Sequence, residues 1–234
     1  MKPFKKIIVG LLLFTSCQQS IKVWVDKAKT QMQEGKYEEA IATLNTALEK
    51  ESKNVDLLNM RGVALFEMKK YPEAIADFNQ AILLDKKNYK PFYNRGLAKA
   101  QLQDWQGALK DYDEALLLEK KNSEIFVNRG FVYSQLNALD KALQDFETAL
   151  KLNPKDKNAH YNRANLYFMM ENYKEAIVGF KQTIQLDNQF AKAYYALGIA
   201  EVQIKENKNA CLHLKEAARL KYEDAQAALQ KYCQ

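Results

Sequence analysis

The chain has 234 residues, of which 47% are hydrophobic and 27% are charged, an ordinary globular composition that excludes a disordered tail. Eight glycines and four prolines are too few for the many turns of an all-β protein, and they favour long helices joined by short loops. The formal net charge of +6 includes three lysines among the first six residues, and without a basic run elsewhere it does not indicate nucleic-acid binding.

Residues 1–16 have the layout of a secretory signal, with lysines first, an apolar run over residues 7–14, and two small residues directly before Cys17. Residues 14–17 resemble the lipobox of bacterial lipoproteins, with Phe where that family usually has Leu. The resemblance implies that the signal is removed, that Cys17 is lipidated, and that residues 17–20 form a short tether. We therefore expect a lipid-anchored protein of the cell envelope that faces the periplasm. The alternative is an uncleaved or differently cleaved signal in which Cys17 is incidental.

From residue 21 onward, the sequence repeats with a period of about 34 residues. A small residue recurs at the eighth position of each unit, as Ala28, Gly62, Gly96, Gly130, Ala164 and Gly198. Another recurs at the twentieth position, as Ala40, Ala74, Ala108, Ala142, Ala176 and Ala210. Small side chains at these positions allow two helices of one unit to approach closely.

This period resembles the tetratricopeptide repeat, a helix-turn-helix unit. In the register of that family, the units are 21–54, 55–88, 89–122, 123–156, 157–190 and 191–224. The resemblance implies an all-α fold, a right-handed α-solenoid of six units in which each unit is stabilised by its neighbours. Residues 225–234 then form a C-terminal capping helix for the last unit.

Members of this family bind partners in a concave groove lined by the first helix of each unit. The residues at the corresponding positions are largely apolar and aromatic, which is typical of interface cores. They include Tyr93, Leu97, Val127, Phe131, Tyr161, Asn165, Phe168, Tyr195 and Ile199. The alternative is that some of them are buried between helices, because an error of one position in the register moves a residue from the groove to the core.

Arg61, Arg95, Arg129 and Arg163 repeat at the seventh position, and the units also repeat Asp77, Asp111 and Asp145. We interpret these residues as intramolecular Arg-to-Asp pairs that join neighbouring helices. The alternative is a ladder of arginines that binds phosphates or carboxylates.

Cys211 and Cys233 lie on either side of a predicted turn, so an antiparallel helix pair would bring them side by side. They form either a disulfide, which an envelope location permits, or two unpaired buried thiols. The histidines, His160 and His213, have no metal-ligand spacing around them. Because the sequence contains no catalytic motif, we expect neither a catalytic site, a metal, a cofactor nor an enzymatic activity.

These observations predict a membrane-anchored adaptor that binds another protein or peptide of the cell envelope in its groove. The sequence is also compatible with two other functions. One is a structural or self-assembling spacer, and the other is a binder of cell-wall glycans that uses the tyrosines of the groove.

Overall fold

The structure is a computed structural model that describes residues 21–233. Within this range the chain contains thirteen α-helices and no strand, which confirms the predicted all-α repeat fold. The helices divide into two compact units, one that ends at Leu118 and one that begins at Glu119. No helix in residues 21–233 combines the length and the apolar character needed to cross a bilayer.

The first unit contains six helices that stack in chain order. They are α1 (residues 21–33), α2 (Tyr37–Lys50), α3 (Val55–Glu67), α4 (Tyr71–Leu84), α5 (Tyr89–Gln101) and α6 (Trp105–Leu118). The helices α3 and α4 pair, as do α5 and α6, and the contacts of α4 with α5 join one pair to the next.

The second unit contains seven helices arranged in the same way. They are α7 (Ser123–Gln135), α8 (Leu139–Leu152), α9 (Lys157–Met169), α10 (Tyr173–Leu186), α11 (Ala191–Gln203), α12 (Asn207–Arg219) and α13 (Ala225–Tyr232). The first helices α7, α9 and α11 contact one another in sequence, and α13 packs against α12.

The second to fifth repeats start at the same place because the same local chemistry recurs. Asn54, Asn88, Asn122 and Asp156 accept hydrogen bonds from backbone N–H groups in the first turn of the helix that follows them. This satisfies donors that have no partner inside the helix. The turn between the two helices of a repeat uses one residue in the left-handed region, at Gly35, Lys69, Gln103, Asn137, Glu171 and Lys205.

The small residues of the eighth position allow the two helices of a repeat to pack closely. A Cβ atom added to Gly62 would lie 2.5 Å from the ring of Phe78, and one added to Gly96 would lie 2.7 Å from the ring of Tyr112. These rings are fully buried, as are the equivalent side chains Phe146 and Phe180. The core of each repeat is therefore a large side chain seated against the backbone of the partner helix.

Three Arg-to-Asp pairs join the two helices of their repeats, as expected from the sequence. The guanidinium of Arg61 donates from Nε to Asp77 Oδ2 at 2.8 Å and from Nη2 to Oδ1 at 2.6 Å. The pairs Arg95–Asp111 and Arg129–Asp145 have the same two-point geometry. Arg163, the fourth arginine of the series, has no such partner among residues 21–233.

The paired aspartates are buried, so the loss of one arginine should be costly. In the Arg61→Met variant the Asp77 carboxylate stays buried without its partner, and we expect the free energy of unfolding to fall by about 3 kcal/mol. The loss should be smaller for Arg95→Met, because Lys99 Nζ lies 2.8 Å from Asp111 Oδ2 and still neutralises that carboxylate. Urea unfolding followed by circular dichroism measures both values.

Arg163→Met is the matched control, since it removes an arginine of the same position without leaving an unpaired aspartate. We expect the smallest loss for this variant. Equal losses for all three substitutions would contradict the assignment of the stability to the ion pairs.

Candidate functional site

The first helices of the second unit carry a depression that lies wholly within that unit. It lies between α7 and α9, has a volume of about 300 Å³, and has the ring of Phe146 from α8 as its floor. We call it the aromatic depression. Its other lining residues are Phe131, Ser134, Gln135, Asn162, Asn165, Leu166, Phe168 and Met169.

The rim of this depression exposes large apolar side chains. Phe131 is 41% exposed and Met169 is 52% exposed, whereas Phe146 at the floor is 1% exposed. Aromatic side chains and methionine are enriched in the cores of protein interfaces. A partner that covers the rim would remove this apolar surface from water, which is favourable.

The polar lining residues can position a ligand. Neither Asn162 nor Asn165 forms a side-chain hydrogen bond with the rest of the described chain, so both amide groups can donate and accept. The hydroxyl of Ser134 donates to the backbone carbonyl of Phe131 at 2.7 Å. The apolar lining residues can contact side chains of a bound polypeptide, and the free amides can form hydrogen bonds with its backbone.

Three residues of the predicted groove, Phe131, Asn165 and Phe168, line the aromatic depression. Val127 does not, because it is only 7% exposed and packs with Phe146 in the core. We therefore do not retain Val127 as a surface residue. The physical reason is that it occupies the position of its helix that faces the neighbouring helices of the repeat.

The remaining predicted groove residues of the second unit lie farther along its first helices. Tyr161 packs its ring 5.8 Å from that of Phe180 and 5.1 Å from that of Phe190, so it contributes to the core as well as to the surface. The ring of Tyr195 lies 4.8 Å from that of Tyr222, and Ile199 is partly buried.

In the first unit, the predicted residues Tyr93 and Leu97 lie on α5 and are both partly buried. The ring of Tyr93 packs 6.1 Å from that of the core residue Tyr112. Tyr93 therefore supports the core of its own repeat.

Phe146, Asn162 and Leu166 line the depression, although the sequence did not indicate them as groove residues. Asn94, at the same position of an earlier repeat, donates to Asn59 at 2.9 Å, whereas Asn162 forms no such contact between repeats in the described residues. Leu166 is a core residue whose edge reaches the depression. Asn recurs at the sixth position of three units, which singles out Asn162 in the sequence. This recurrence does not show whether the side chain contacts the neighbouring repeat or lies on the surface.

An open cleft lies beside the turn that connects α10 with α11. It is lined by residues of this turn and by Lys221, Tyr222 and Glu223 from the turn before α13. Lys157 donates to Asp187 at 2.6 Å, and this hydrogen bond lowers the pKa of the Asp187 carboxyl group. Burial raises the pKa of the Tyr222 phenol.

The residues described contain no group of three or more His, Cys, Asp or Glu side chains that could hold a metal ion. His160 bonds through Nε2 to the carbonyl of Pro154 at 2.9 Å. His213 Nδ1 lies 2.6 Å from the carboxylate of Glu201, which is fully buried. Both histidines thus have partners within their own unit.

Cys17 lies outside the described residues. Cys211 and Cys233 form a disulfide with a Cα–Cα distance of 5.6 Å. Cys211 lies in α12, and Cys233 directly follows α13. The bond therefore fastens the final helix of the second unit to the helix before it.

The disulfide should protect α13 from fraying. It closes a loop with a sequence separation of 22, and a loop of this size is stabilised by about 3 kcal/mol. We expect Cys211→Ser to accelerate amide hydrogen exchange in α13 while leaving α7 to α9 unchanged. Hydrogen-exchange mass spectrometry measures this difference.

Cys233→Ser serves as the matched variant and should give the same pattern, as should reduction of the unmodified chain. If α13 keeps its full protection in both variants, the packing of the helix and not the disulfide holds it in place.

Comparisons with known proteins agree with the geometry. Sequence models described as tetratricopeptide repeat match residues 25–91 and 158–190, and one described as TPR repeat matches residues 132–171. The search of curated protein sequences found no match to this chain.

Solved structures share the fold at low sequence identity. The pilF protein of Pseudomonas aeruginosa is 20% identical with a TM-score of 0.81, and the match covers 92% of this chain and 99% of that one. A tetratricopeptide repeat protein of Parabacteroides merdae is 23% identical with a TM-score of 0.71, and covers 92% and 84%. YrrB, described as a TPR protein with an unusual peptide-binding site, is 20% identical with a TM-score of 0.63, and covers 80% and 97%.

Proposed function

We propose that this chain, which belongs to the tetratricopeptide repeat family, is a membrane-anchored adaptor of the bacterial cell envelope that binds a partner polypeptide in the aromatic depression. Tetratricopeptide repeats bind proteins or peptides. The observation that carries the proposal is the exposed pair Phe131 and Met169 beside the unbonded amides of Asn162 and Asn165.

The chemistry of the depression favours a short segment with one or two large apolar side chains. These side chains insert between Phe131 and Met169 toward the floor made by Phe146. The amides of Asn162 and Asn165 then bond to the backbone of the segment on either side. Such anchors carry most of the binding energy in interfaces of this kind.

Two features support the envelope location. The segment before Cys17 has the layout of a lipoprotein signal, and acyl chains on Cys17 would anchor the mature protein. Independently, the disulfide between Cys211 and Cys233 is of a kind that persists in oxidising compartments such as the bacterial periplasm.

The adaptor function is tested by removing the apolar rim. Phe131→Ala combined with Met169→Ala should reduce co-purification of cross-linked envelope partners by at least about tenfold, which corresponds to about 1.4 kcal/mol. Because both side chains are largely exposed, the melting temperature should stay within a few degrees of the unmodified value. Quantitative mass spectrometry after crosslinking in intact cells measures the first effect, and circular dichroism the second.

Leu212→Ala is the matched control, because Leu212 is a similarly exposed apolar residue on the second helix α12. It should leave the partner set unchanged. Loss of the same partners in this control, or retention of all partners in the double variant, would place binding elsewhere. A purified chain that forms large oligomers through the same rim would support the self-assembling alternative.

The anchor is tested separately. Cys17→Ser removes the thiol that carries the lipid, and we expect the protein to move from the membrane fraction to the soluble periplasmic fraction. Fractionation followed by immunoblotting measures the distribution. Serine at position 20 offers a nearby control, since Ser20→Ala keeps Cys17 and should stay in the membrane fraction. Membrane retention of a Cys17→Ser protein from which residues 1–16 have been removed would refute the lipid anchor.

A further inference from the structure

The fifth repeat breaks the Arg-to-Asp pattern of its predecessors. The chain has five arginines, and each of the other four has a carboxylate at hydrogen-bonding distance, from Asp77, Asp111, Asp145 or Glu216. Arg163 forms no ion pair or hydrogen bond with any part of the described chain, and its Nε atom is buried. The position equivalent to the paired aspartate is Gly179.

The loss of this aspartate has a packing cause. In the fourth repeat, a Cβ atom added to Gly130 would lie 2.9 Å from the ring of Phe146 and 3.2 Å from Asp145 Cβ, so the glycine makes room for both side chains. In the fifth repeat the glycine lies on the second helix instead of the first. Ala164 on α9 stands where the fourth repeat has Gly130, and Gly179 on α10 stands where that repeat has Asp145. A Cβ atom added to Gly179 would lie 2.7 Å from Ala164 Cβ. With alanine on α9 and glycine on α10, the two helices still pack closely, but the repeat has no carboxylate at position 179 to pair with Arg163.

The surroundings of Arg163 do not compensate for this loss. One turn earlier on α9, His160 Nδ1 is also buried without a partner. Glu147 on α8 occupies the place of Asn45 and Asn79, which accept from Nη1 of Arg61 and Arg95. Glu147 is exposed and forms no ion pair with Arg163. Arg163 as a whole is partly exposed, so a ligand can reach the tip of its guanidinium group.

We propose that Arg163 binds an acidic side chain of a partner polypeptide on the second-helix side of α9, between α8 and α10. The chemical class of the ligand follows from the chain itself, because three identical arginines in the preceding repeats are held by carboxylates with two-point geometry. A guanidinium group matches a carboxylate in shape and charge. This site is separate from the aromatic depression, which is lined by α7, α8 and α9.

The arginine side chains provide the readout. We would record the Nε–Hε signals of the five arginines by NMR on the full-length, ¹⁵N-labelled chain in detergent, and titrate an acetylated Glu-Asp-Glu-Asp peptide. The Arg163 signal should move and saturate, while the four paired arginines hold their positions. A Gln-Asn-Gln-Asn peptide that is acetylated and C-terminally amidated, and therefore carries no carboxylate, should have no effect. Absence of movement, or equal movement with inorganic phosphate or sodium chloride at the same ionic strength, overturns the proposal.

A restored ion pair should close the site. Ala164→Gly combined with Gly179→Asp recreates the arrangement of Gly130 and Asp145, so Arg163 gains an internal carboxylate. We expect a higher melting temperature and at least about tenfold weaker peptide binding. Ala164→Gly alone is the control, and it should bind as the unmodified chain does. A double variant that folds and binds the peptide with unchanged affinity rules Arg163 out.

Glu147 is the carboxylate within the chain that could compete with a partner for Arg163, and a separate variant tests whether it pairs with this arginine. If Glu147 does not hold Arg163 in solution, Glu147→Gln leaves the Arg163 signal of the ligand-free chain unchanged. A large shift of that signal would mean that the arginine already has a partner, which contradicts the proposal. The Phe131→Ala and Met169→Ala double variant should keep the response of Arg163, so failure of the proposed function and failure of this inference are distinguishable.

Discussion

The close approach of the two helices within a repeat is the constraint on which the rest of this structure depends. A ring such as that of Phe78 or Tyr112 can be seated against the opposite helix only where that helix carries glycine or alanine. Once the helices are this close, the arginine and aspartate of the repeat are brought together in a place with little water. A buried carboxylate is tolerated there because the guanidinium neutralises it and satisfies two of its lone pairs.

In the fifth repeat the two helices pack closely although the Arg-to-Asp pair is missing. The exchange of small residues between Ala164 and Gly179 preserves the helix contact, so the fold does not require the ion pair in every repeat. Arg163 nevertheless remains. A buried polar group that costs free energy when left unpaired is a candidate for recognition, and for that reason the irregular repeat is more informative about function than the regular ones.

The first-helix and second-helix sides of the second unit offer different chemistry. The aromatic depression offers exposed Phe131 and Met169 with amides beside them, whereas the opposite side of α9 presents an arginine without a carboxylate. A partner that uses both would be held by apolar burial on one side and by charge on the other. Burial supplies most of the affinity in such an arrangement, and charge pairs supply orientation and selectivity.

The sequence by itself determined the fold, because a period of about 34 residues with small and large side chains at constant positions is compatible with only one way of packing helices. It also determined which residues pair as Arg and Asp, since both partners recur with that period.

The sequence could not decide which apolar residues of the first helices are exposed. Val127 and Phe131 are one helical turn apart and equally apolar, yet one is core and the other is surface. Only the tertiary structure decides this, because exposure depends on which side chains of the neighbouring helices cover each position. The sequence places Gly179 where the preceding repeats have the paired aspartate, but only the tertiary structure shows that a Cβ atom at this position would lie 2.7 Å from Ala164 Cβ.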